Sequence, residues 1–588
     1  MRCIRTLTTF ALLALAIPSP AQVTAPPGSA ARPGQVGTQA QPPTPPRDRA
    51  TVAAGTARVG GTVVAADSGT PLRRAMVRLS ARDMRQGRSA STDGHGRFEF
   101  RDLPAGRYQI NASKGGYVQL SFGQRLPYEA GRPIELRAGE TLDNVNFSLP
   151  RAGVITGRVV DEYGEPVADA LVQALRSSYL RGRRRYVPAG RVAQSNDIGV
   201  YRVFGLPPGE YLISATLSGR EFPSEQNRET SGYAPTYYPG TPNVAEAQRV
   251  SVAVGQEAGA DLQLVPARLA KITGMVTDSA GHPLSRGQVV LTRRFDSSGP
   301  GENAVVMIGG NSSSLQQDGA FTLTGVAPGT YDLVVSSRAG PPMALEPGDR
   351  GGEYASVPVT VAGEDLENIV VQTSRGIPIR GRVVTEGAPP TFSPSQINVL
   401  LQARDGDGTT SVFMMGGRPT VRDDWTFDLT AYPGARVVRV AGVPDGWQLK
   451  SISLGAENVT DTGFDVRAGQ PPGTMRIVLT SQVTEVTGTV ADGRGEGVRD
   501  YTVVMFAEDR ALLDLPSERY LRTGRPDQDG RYRIEGLPPG DYLAVAVDSL
   551  GQDGSADPDT LESWRAFATS IRLGEGERKA VPLKLSLP

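Results

Sequence analysis

The sequence is poor in the residues that most often carry catalysis. Its 588 residues include two histidines and one cysteine. Zinc sites and nucleophilic triads draw on these side chains, so both chemistries lack their usual groups. His95 lies between two glycines, and His282 lies between Gly281 and Pro283. We therefore predict that both histidines are exposed turn residues rather than general bases or metal ligands.

An excess of positive charge is also missing. The chain has 62 basic and 62 acidic residues, and its formal net charge is zero. Proteins that bind nucleic acid usually carry a basic excess, so we expect no nucleic-acid partner.

Long hydrophobic runs are absent after the first residues. Arg2 and Arg5 precede an apolar run at 10–17, and small residues follow at Ser19 and Ala21. This pattern predicts a cleavable signal peptide over 1–21, because the run is far shorter than the roughly 20 residues of a membrane span. Cleavage after Ala21 would remove Cys3 and leave no transmembrane segment. We expect a secreted or periplasmic protein of the cell envelope. Proline pairs at 26–27, 42–43 and 45–46 predict a disordered spacer over 22–57.

Glycine and proline are abundant, with 70 and 46 residues, as is typical of an all-β protein with many turns. A short strand pattern around a central glycine recurs five times, at 59–64, 155–160, 272–276, 379–384 and 486–490. A proline-containing turn, such as Gly164-Glu-Pro166, follows most copies. Internal repeats at this spacing indicate a series of similar small units.

A second block recurs later in the units, at 93–108, 197–211, 318–331 and 529–542. An Asp-Gly turn, an aromatic strand and a Pro-Gly turn precede a tyrosine that opens an inward-facing strand. The tyrosines are Tyr108, Tyr211, Tyr331 and Tyr542. The fourth unit places Arg436 at this position, so we expect Trp425 or Trp447 to complete its core.

These blocks resemble the carboxypeptidase regulatory-like domain, a transthyretin-like β-sandwich. The resemblance rests on the opening at 157–160, the turn at 164–166 and the block that ends at Tyr542, and it is weak in the fourth unit. Cna-B-like adhesin domains and starch-binding-like sandwiches share the outline. The resemblance implies a fold rather than a function, because such domains accompany many unrelated proteins.

The fold class that follows is all-β, a tandem array of about five transthyretin-like, Ig-like β-sandwich domains. The predicted boundaries are 58–151, 152–268, 269–376, 377–482, which is the divergent unit, and 483–588. Short helices are expected only at 511–520 and 561–569. The isopeptide bond of Cna-B-like domains is excluded as a general feature, because it requires lysine and residues 152–268 contain none.

Two segments of the second unit are candidate ligand sites. Tyr233, Tyr237 and Tyr238 lie among prolines, and aromatic rings stack on the apolar faces of sugars. The alternative is that these rings pack the segment onto its own sandwich. Arg183, Arg184 and Arg185 form the one local charge run and would suit an acidic ligand, although we favour a solvated loop.

Paired carboxylates are the remaining candidates for chemistry. They lie at 405–407, 423–424 and 527–529. None has the full pattern of a calcium loop, and Asp-Gly is ordinary turn chemistry, so we favour turns.

We therefore expect an exported, non-enzymatic binding protein with no catalytic residues, cofactor or metal. Carbohydrate is the leading ligand class. The alternative is a structural or protein-binding scaffold of the envelope. Exposed coplanar aromatics would favour a polysaccharide partner, and an exposed apolar patch would favour an envelope protein.

Overall fold

The strands of this protein pair into sheets that enclose separate hydrophobic clusters. The computed structural model describes residues 55–81, 87–124, 127, 129–180, 183–217, 231–296, 303–304, 312–337, 352–404, 420–470, 472–550 and 557–586. The predicted signal peptide and nearly all of the predicted spacer lie outside these ranges. The all-β fold class is confirmed, with paired sheets arranged in tandem along the chain.

We group the strands into sandwiches 1 to 5 according to the main hydrophobic clusters. The domain boundaries given above stay a prediction. Sandwich 1 contains β1 (Ala57–Ala65), β2 (Met76–Ser80), β3 (Arg88–Ser91), β4 (Arg97–Leu103), β5 (Gly106–Ser113), β6 (Leu120–Ser121), β7 (Ile134–Leu136), β8 (Thr141–Leu142) and β9 (Phe147–Leu149). Sandwich 2 contains β10 (Gly153–Val160), β11 (Leu171–Leu180), β12 (Arg183–Gln194), β13 (Val200–Leu206), β14 (Gly209–Thr216), β15 (Ser231–Ala234), β16 (Thr236–Tyr237), β17 (Arg249–Val252), β18 (Glu257–Gly259), β19 (Leu262–Gln263) and β20 (Val265–Arg268).

The strands of the other three sandwiches follow in chain order. Sandwich 3 contains β21 (Ala270–Thr277), β22 (Gln288–Asp296), β23 (Asn303–Ala304), β24 (Ser312–Ser314), β25 (Ala320–Val326), β26 (Gly329–Ser336), β27 (Glu353–Val361), β28 (Leu366–Gln372) and β29 (Ser374–Arg375). Sandwich 4 contains β30 (Ile377–Glu386), β31 (Asn398–Ala403), β32 (Thr426–Ala431), β33 (Gly434–Ala441), β34 (Gln448–Leu454), β35 (Glu457–Asn458), β36 (Phe464–Val466) and β37 (Met475–Thr480). Sandwich 5 contains β38 (Glu485–Ala491), β39 (Gly497–Val498), β40 (Thr502–Ala507), β41 (Leu521–Gly524), β42 (Arg531–Glu535), β43 (Gly540–Val547), β44 (Thr569–Leu573), β45 (Arg578–Ala580) and β46 (Leu583–Ser586).

Helices are short in the described part of the chain. The α-helix α1 (Pro558–Trp564) begins three residues before the segment predicted at 561–569, because Asp557 caps it and Pro558 fits its first turn. The prediction at 511–520 was wrong in extent: only a 3₁₀ turn, Arg510–Leu512, forms there. The other 3₁₀ turns are Val244–Glu246, Pro394–Gln396 and Arg565–Phe567.

The recurring glycine of the first strand has a packing reason. In every sandwich this strand pairs in parallel with a strand near the unit's end, as β1 does with β9. A Cβ on Gly61 would lie 1.9 Å from the Val145 oxygen, and one on Gly488 would lie 2.0 Å from the Val581 oxygen. At these positions glycine is required because a backbone carbonyl approaches where a side chain would project, whereas at Gly381 of sandwich 4 the Phe427 ring fills that space.

The recurring tyrosine closes a turn. The hydroxyl of Tyr108 donates to the carbonyl of Pro104 at 2.7 Å, and Tyr542 donates to Pro538 at the same distance. Tyr211 and Tyr331 make the corresponding bonds to the fourth residue before them.

Sandwich 4 keeps this bond with a different side chain. Arg436 is buried, and its Nε donates to the carbonyl of Tyr432 at 2.9 Å while Nη2 donates to Pro433 at 2.8 Å. Trp425 and Trp447 pack against the core through edge contacts with Phe392, as expected of residues that complete it.

Successive sandwiches are joined by direct contacts. Tyr354 of sandwich 3 and Tyr432 of sandwich 4 have ring centroids 4.9 Å apart. Arg439 of sandwich 4 donates to the carbonyls of Pro516 and Ser517 in sandwich 5, at 2.7 and 2.6 Å. The first junction also includes a bond from the Tyr432 hydroxyl to the Gly352 carbonyl at 3.2 Å, so both junctions use side-chain donors on backbone carbonyls.

Candidate functional site

The tyrosine-rich segment of sandwich 2 packs onto its own sandwich. Tyr237 is 1% exposed and lies in a small hydrophobic cluster with Leu175 and Leu212. Tyr233 and Tyr238 are half-buried and pack instead against the main hydrophobic core of sandwich 2. The three rings therefore do not form a shared exposed surface, and the structure favours the packing alternative.

Burial also determines the chemistry of these hydroxyls. Burial raises the pKa of Tyr237, whose hydroxyl makes no hydrogen bond to any described residue. Burial raises the pKa of Tyr233 as well, and the carboxylate of Glu162, which accepts its hydroxyl at 2.9 Å, adds to the shift. Both hydroxyls stay protonated at neutral pH and offer no base.

The arginine run lies on the hairpin of β11 and β12 rather than in an irregular loop. Arg183, Arg184 and Arg185 pair with Leu180, Tyr179 and Ser178. Arg184 donates to the Tyr179 hydroxyl at 3.0 Å, with its guanidinium 5.4 Å from the ring centroid. The side chains of Arg183 and Arg185 lie outside what the structure describes.

A small cleft opens on the outer face of the same sheet. It measures about 50 Å³ and is lined by Ser177, Tyr186, Glu210 and Arg249, among others. Arg249 and Glu210 form an ion pair of 3.0 Å across two strands. The cleft therefore presents one cationic and one anionic side chain beside the Tyr186 ring.

The carboxylate pairs belong to turns where they are described. Asp527 Oδ1 accepts the backbone N–H groups of Asp529 and Arg531, both at 2.9 Å. Asp424 accepts from Thr426 in the same way. The pair at 405–407 lies outside the described residues.

No group of three or more potential ligand side chains is close enough to hold a metal in the described ranges. His95 and His282 are exposed turn residues, as predicted. No helix of the described residues is long and apolar enough to cross a membrane.

The structure shows an exposed apolar surface that sequence reasoning missed. We call Val192, Ile198, Val200 and Phe204 the edge patch of sandwich 2. Val200 and Phe204 project from the outer face of β13, which lies at the edge of its sheet. Phe204 is 41% exposed and Ile198 is 53% exposed.

The matching strands of the other sandwiches are polar on this outer face. Their outward residues are Arg97, Glu99 and Arg101 in β4; Ala320, Thr322 and Thr324 in β25; Thr426, Asp428 and Thr430 in β32; and Arg531, Arg533 and Glu535 in β42. The sequence did contain one signal for this patch. Residues 200–204 are apolar on both faces of the strand, whereas the matching strands alternate between apolar and mostly polar residues.

Arginines surround the edge patch. The Arg191 guanidinium lies 5.8 Å from the Phe204 ring centroid, and Arg158 donates to the Ile198 carbonyl at 2.9 Å. Arg202 lies between the two outward apolar residues of β13, 3.5 Å from Glu257. The patch thus combines exposed apolar groups with a charged rim that also contains Asp197 and Asp261.

Comparison with known proteins agrees with the sequence resemblance. No curated protein matches the chain. Similar solved structures include a streptococcal ancillary pilin, with 14% identity over 54% of this chain and 98% of the pilin and a TM-score of 0.20. A putative carbohydrate binding protein from Pseudomonas aeruginosa has 17% identity over 18% of this chain and 87% of its own, with a TM-score of 0.12. The family model of the carboxypeptidase regulatory-like domain matches residues 58–150 and 154–265. These two segments of the chain belong to the carboxypeptidase regulatory-like domain family.

Proposed function

We propose that this protein is an exported, non-enzymatic scaffold of the cell envelope that binds another protein through the edge patch of sandwich 2. The observation that carries the proposal is the exposure of Val200 and Phe204 on a strand whose four counterparts present polar groups or alanine there. Exposed apolar groups gathered on one face are a feature of protein interaction sites.

The chemistry of the edge patch defines the partner. β13 hydrogen-bonds to one neighbouring strand, β10, and β12 lies close to its other side, where the Phe204 carbonyl oxygen is 3.0 Å from the position of a Cβ on Gly190. A partner would therefore bind the outer face of β13 rather than extend its sheet. Phe204 and Ile198 provide apolar contacts, and three arginines and three acidic residues lie around them. The surface therefore fits a protein segment that is apolar at its centre and carries charges of both signs at its margin.

Carbohydrate binding, the class favoured by the sequence, is the second candidate. Its support is now the cleft between Tyr186 and Arg249, close to the Arg184–Tyr179 contact, rather than a platform of tyrosines. A sugar carboxylate or hydroxyl would fit this cleft while the ring lay outside it.

A photo-crosslinking experiment tests the protein-binding proposal. Benzoylphenylalanine is introduced at Phe204 and, as the matched control, at Arg101, the corresponding position of sandwich 1. In cells that make the protein, Phe204 should yield a defined adduct with one envelope protein and Arg101 should not. Phe204→Thr, which copies sandwich 3, should abolish co-purification of that partner.

Affinity electrophoresis through gels that contain soluble polysaccharides separates the two candidates. Retardation that is lost in Arg249→Ala, without a Phe204 adduct, would replace protein binding with carbohydrate binding. The absence of both an adduct and retardation would overturn both candidates.

A further inference from the structure

Sandwiches 1 and 5 lie at opposite ends of the described chain, yet they are in direct contact. We call this contact the closure joint. It involves Gly123, Glu129, Arg132 and Glu135 of sandwich 1 and the turn at 525–528 that precedes β42 of sandwich 5. Nothing in the repeat pattern predicts it.

Arg525 lies at the centre of the closure joint, and its side chain is fully buried. Within sandwich 5 it donates to Asp500 at 2.6 Å and to Thr502 at 3.3 Å. Across the joint it donates to the Gly123 carbonyl at 2.8 Å, and its Nη1 lies 3.4 Å from Glu129 Oε2. The Glu129 side chain is also fully buried. Two opposite charges withdrawn from water need each other, because removal of one leaves the other buried without compensation.

The side chain of Gln528 hydrogen-bonds to the edge of β7 in the way that the backbone of a neighbouring strand would. Its Nε2 donates to the Glu135 carbonyl at 3.0 Å, and its Oε1 accepts the Glu135 N–H at 3.4 Å. One side-chain amide therefore satisfies both backbone groups of an edge residue, which would otherwise face solvent or another chain. Arg533 adds a longer charge contact to the Glu135 side chain, at 3.9 Å.

Sandwich 1 in turn contributes a donor to sandwich 5. Arg132 Nη2 donates to the Asp527 carbonyl at 2.6 Å, and its Nε donates to the Pro526 carbonyl at 3.2 Å. The bonding is thus reciprocal: each sandwich supplies guanidinium or amide donors to carbonyls of the other. Reciprocal pairing of this kind fixes one orientation and one register.

The same positions are exposed in the other sandwiches. The residues that match Arg525 in the turn before the second block are Ser91, Gln194, Ser314 and Thr420, and all of them are exposed. Burial at this position is therefore a property of the closure joint and not of the sandwich fold.

We propose that each chain closes on itself through the closure joint, with its own sandwich 5 as the occupant of the surface formed by Gly123, Glu129, Arg132 and Glu135. Closure holds sandwich 1 at two points, the joint and the 150–153 connection to sandwich 2. It thereby fixes the orientation of sandwich 1 relative to sandwich 5. The proposal stands independently of what the edge patch binds.

Distances between paired spin labels test the proposal. The chain with Cys3→Ser carries nitroxides at Ser89→Cys in sandwich 1 and Thr569→Cys in sandwich 5, both exposed positions. A closed chain gives one narrow distance distribution, and it persists when labelled chain is diluted with unlabelled chain. A narrow signal that disappears on dilution would show that the joint forms between copies and would overturn closure within the chain.

Two sets of substitutions open the closure joint by different routes. Glu129→Lys places a second cation against Arg525. The double variant Arg132→Ala with Gln528→Ala removes side-chain bonds that are made only across the joint, so it leaves both sandwiches folded. Both should broaden the distribution, whereas the control Arg531→Ala, an exposed neighbour, should not. A broad distribution in the unsubstituted protein, or a narrow one in both variants, would overturn the proposal.

Discussion

Arg436 provides a direct test of how sandwich 4 keeps the fold without the recurring tyrosine. We predict that Arg436→Leu destabilises sandwich 4 and that Arg436→Tyr recovers part of the loss. The leucine variant leaves the carbonyls of Tyr432 and Pro433 without their donors. A tyrosine reaches only the first of these, the carbonyl four residues earlier, as in the sister sandwiches.

The size of the effect follows from these two bonds. A hydrogen bond from a charged group contributes about 1.5–3 kcal/mol to stability. Two such bonds therefore contribute more than two hydrogen bonds between neutral groups. Burial lowers the pKa of Arg436, which shows that desolvation of the cation offsets part of the gain. The net cost of the leucine variant is therefore about 2 kcal/mol, and that of the tyrosine variant is about 1 kcal/mol.

Hydrogen exchange of the intact chain, followed by mass spectrometry, measures the effect in one sandwich at a time. Amides of β32 and β33 should exchange about 30-fold faster in Arg436→Leu and about fivefold faster in Arg436→Tyr. Peptides from β4 and β5 of sandwich 1 are the internal control and should not change. Unchanged exchange in Arg436→Leu would refute the assignment of Arg436 as the replacement for tyrosine.

Three further predictions concern single residues. Gly488→Ala should cost sandwich 5 about 2–3 kcal/mol, because its Cβ would lie 2.0 Å from a backbone oxygen, while Gly493→Ala, whose Cβ meets nothing, should be neutral in the same exchange measurement. Tyr237→Phe should leave sandwich 2 equally stable or up to about 1 kcal/mol more stable, because the lost hydroxyl makes no bond to the described residues; faster exchange in β14 would contradict this. The backbone N–H of Arg97 lowers the pKa of Asp93 below its ordinary value of 3.8. The ionised Asp93 carboxylate therefore stabilises the fold above pH 3.8, and this contribution is lost as the pH falls through the lower pKa of the folded state. A titration of the Asp93 carboxyl by NMR with a midpoint at or above 3.8 would refute this.

Much of the fold could be predicted from the sequence, because the repeated features depend on neighbouring residues. The central glycines, the aromatic strands and the tyrosines that close their turns recur at matching positions, so the repeats could be compared with one another within the single chain. The role of Arg436 did not follow, since an arginine is rarely expected to replace a buried tyrosine hydroxyl. The hydrogen bonds show that the carbonyl partner, and not the ring, is the shared requirement.

The candidate site was less predictable than the fold. Tyr237 and Tyr238 are adjacent in sequence, but they pack in different hydrophobic clusters, and proline spacing does not reveal that. The edge patch and the closure joint depend on which neighbour covers a strand edge. That is decided by residues hundreds of positions apart, such as Glu129 and Arg525, and no local pattern contains it.

The parallel pairing of first and last strands has a consequence for how the protein is made. In sandwich 1, Val63 lies opposite Phe147, and in sandwich 5, Val490 lies opposite Leu583. Contacts this far apart in sequence are slow to form, because a long loop must close before they contribute. In a unit that is still being synthesised, the first strand therefore lacks its parallel partner until the final strand is complete. Each unit completes only when its whole sequence is present, so an interruption within a unit exposes an edge prone to association, whereas one between units leaves finished sandwiches.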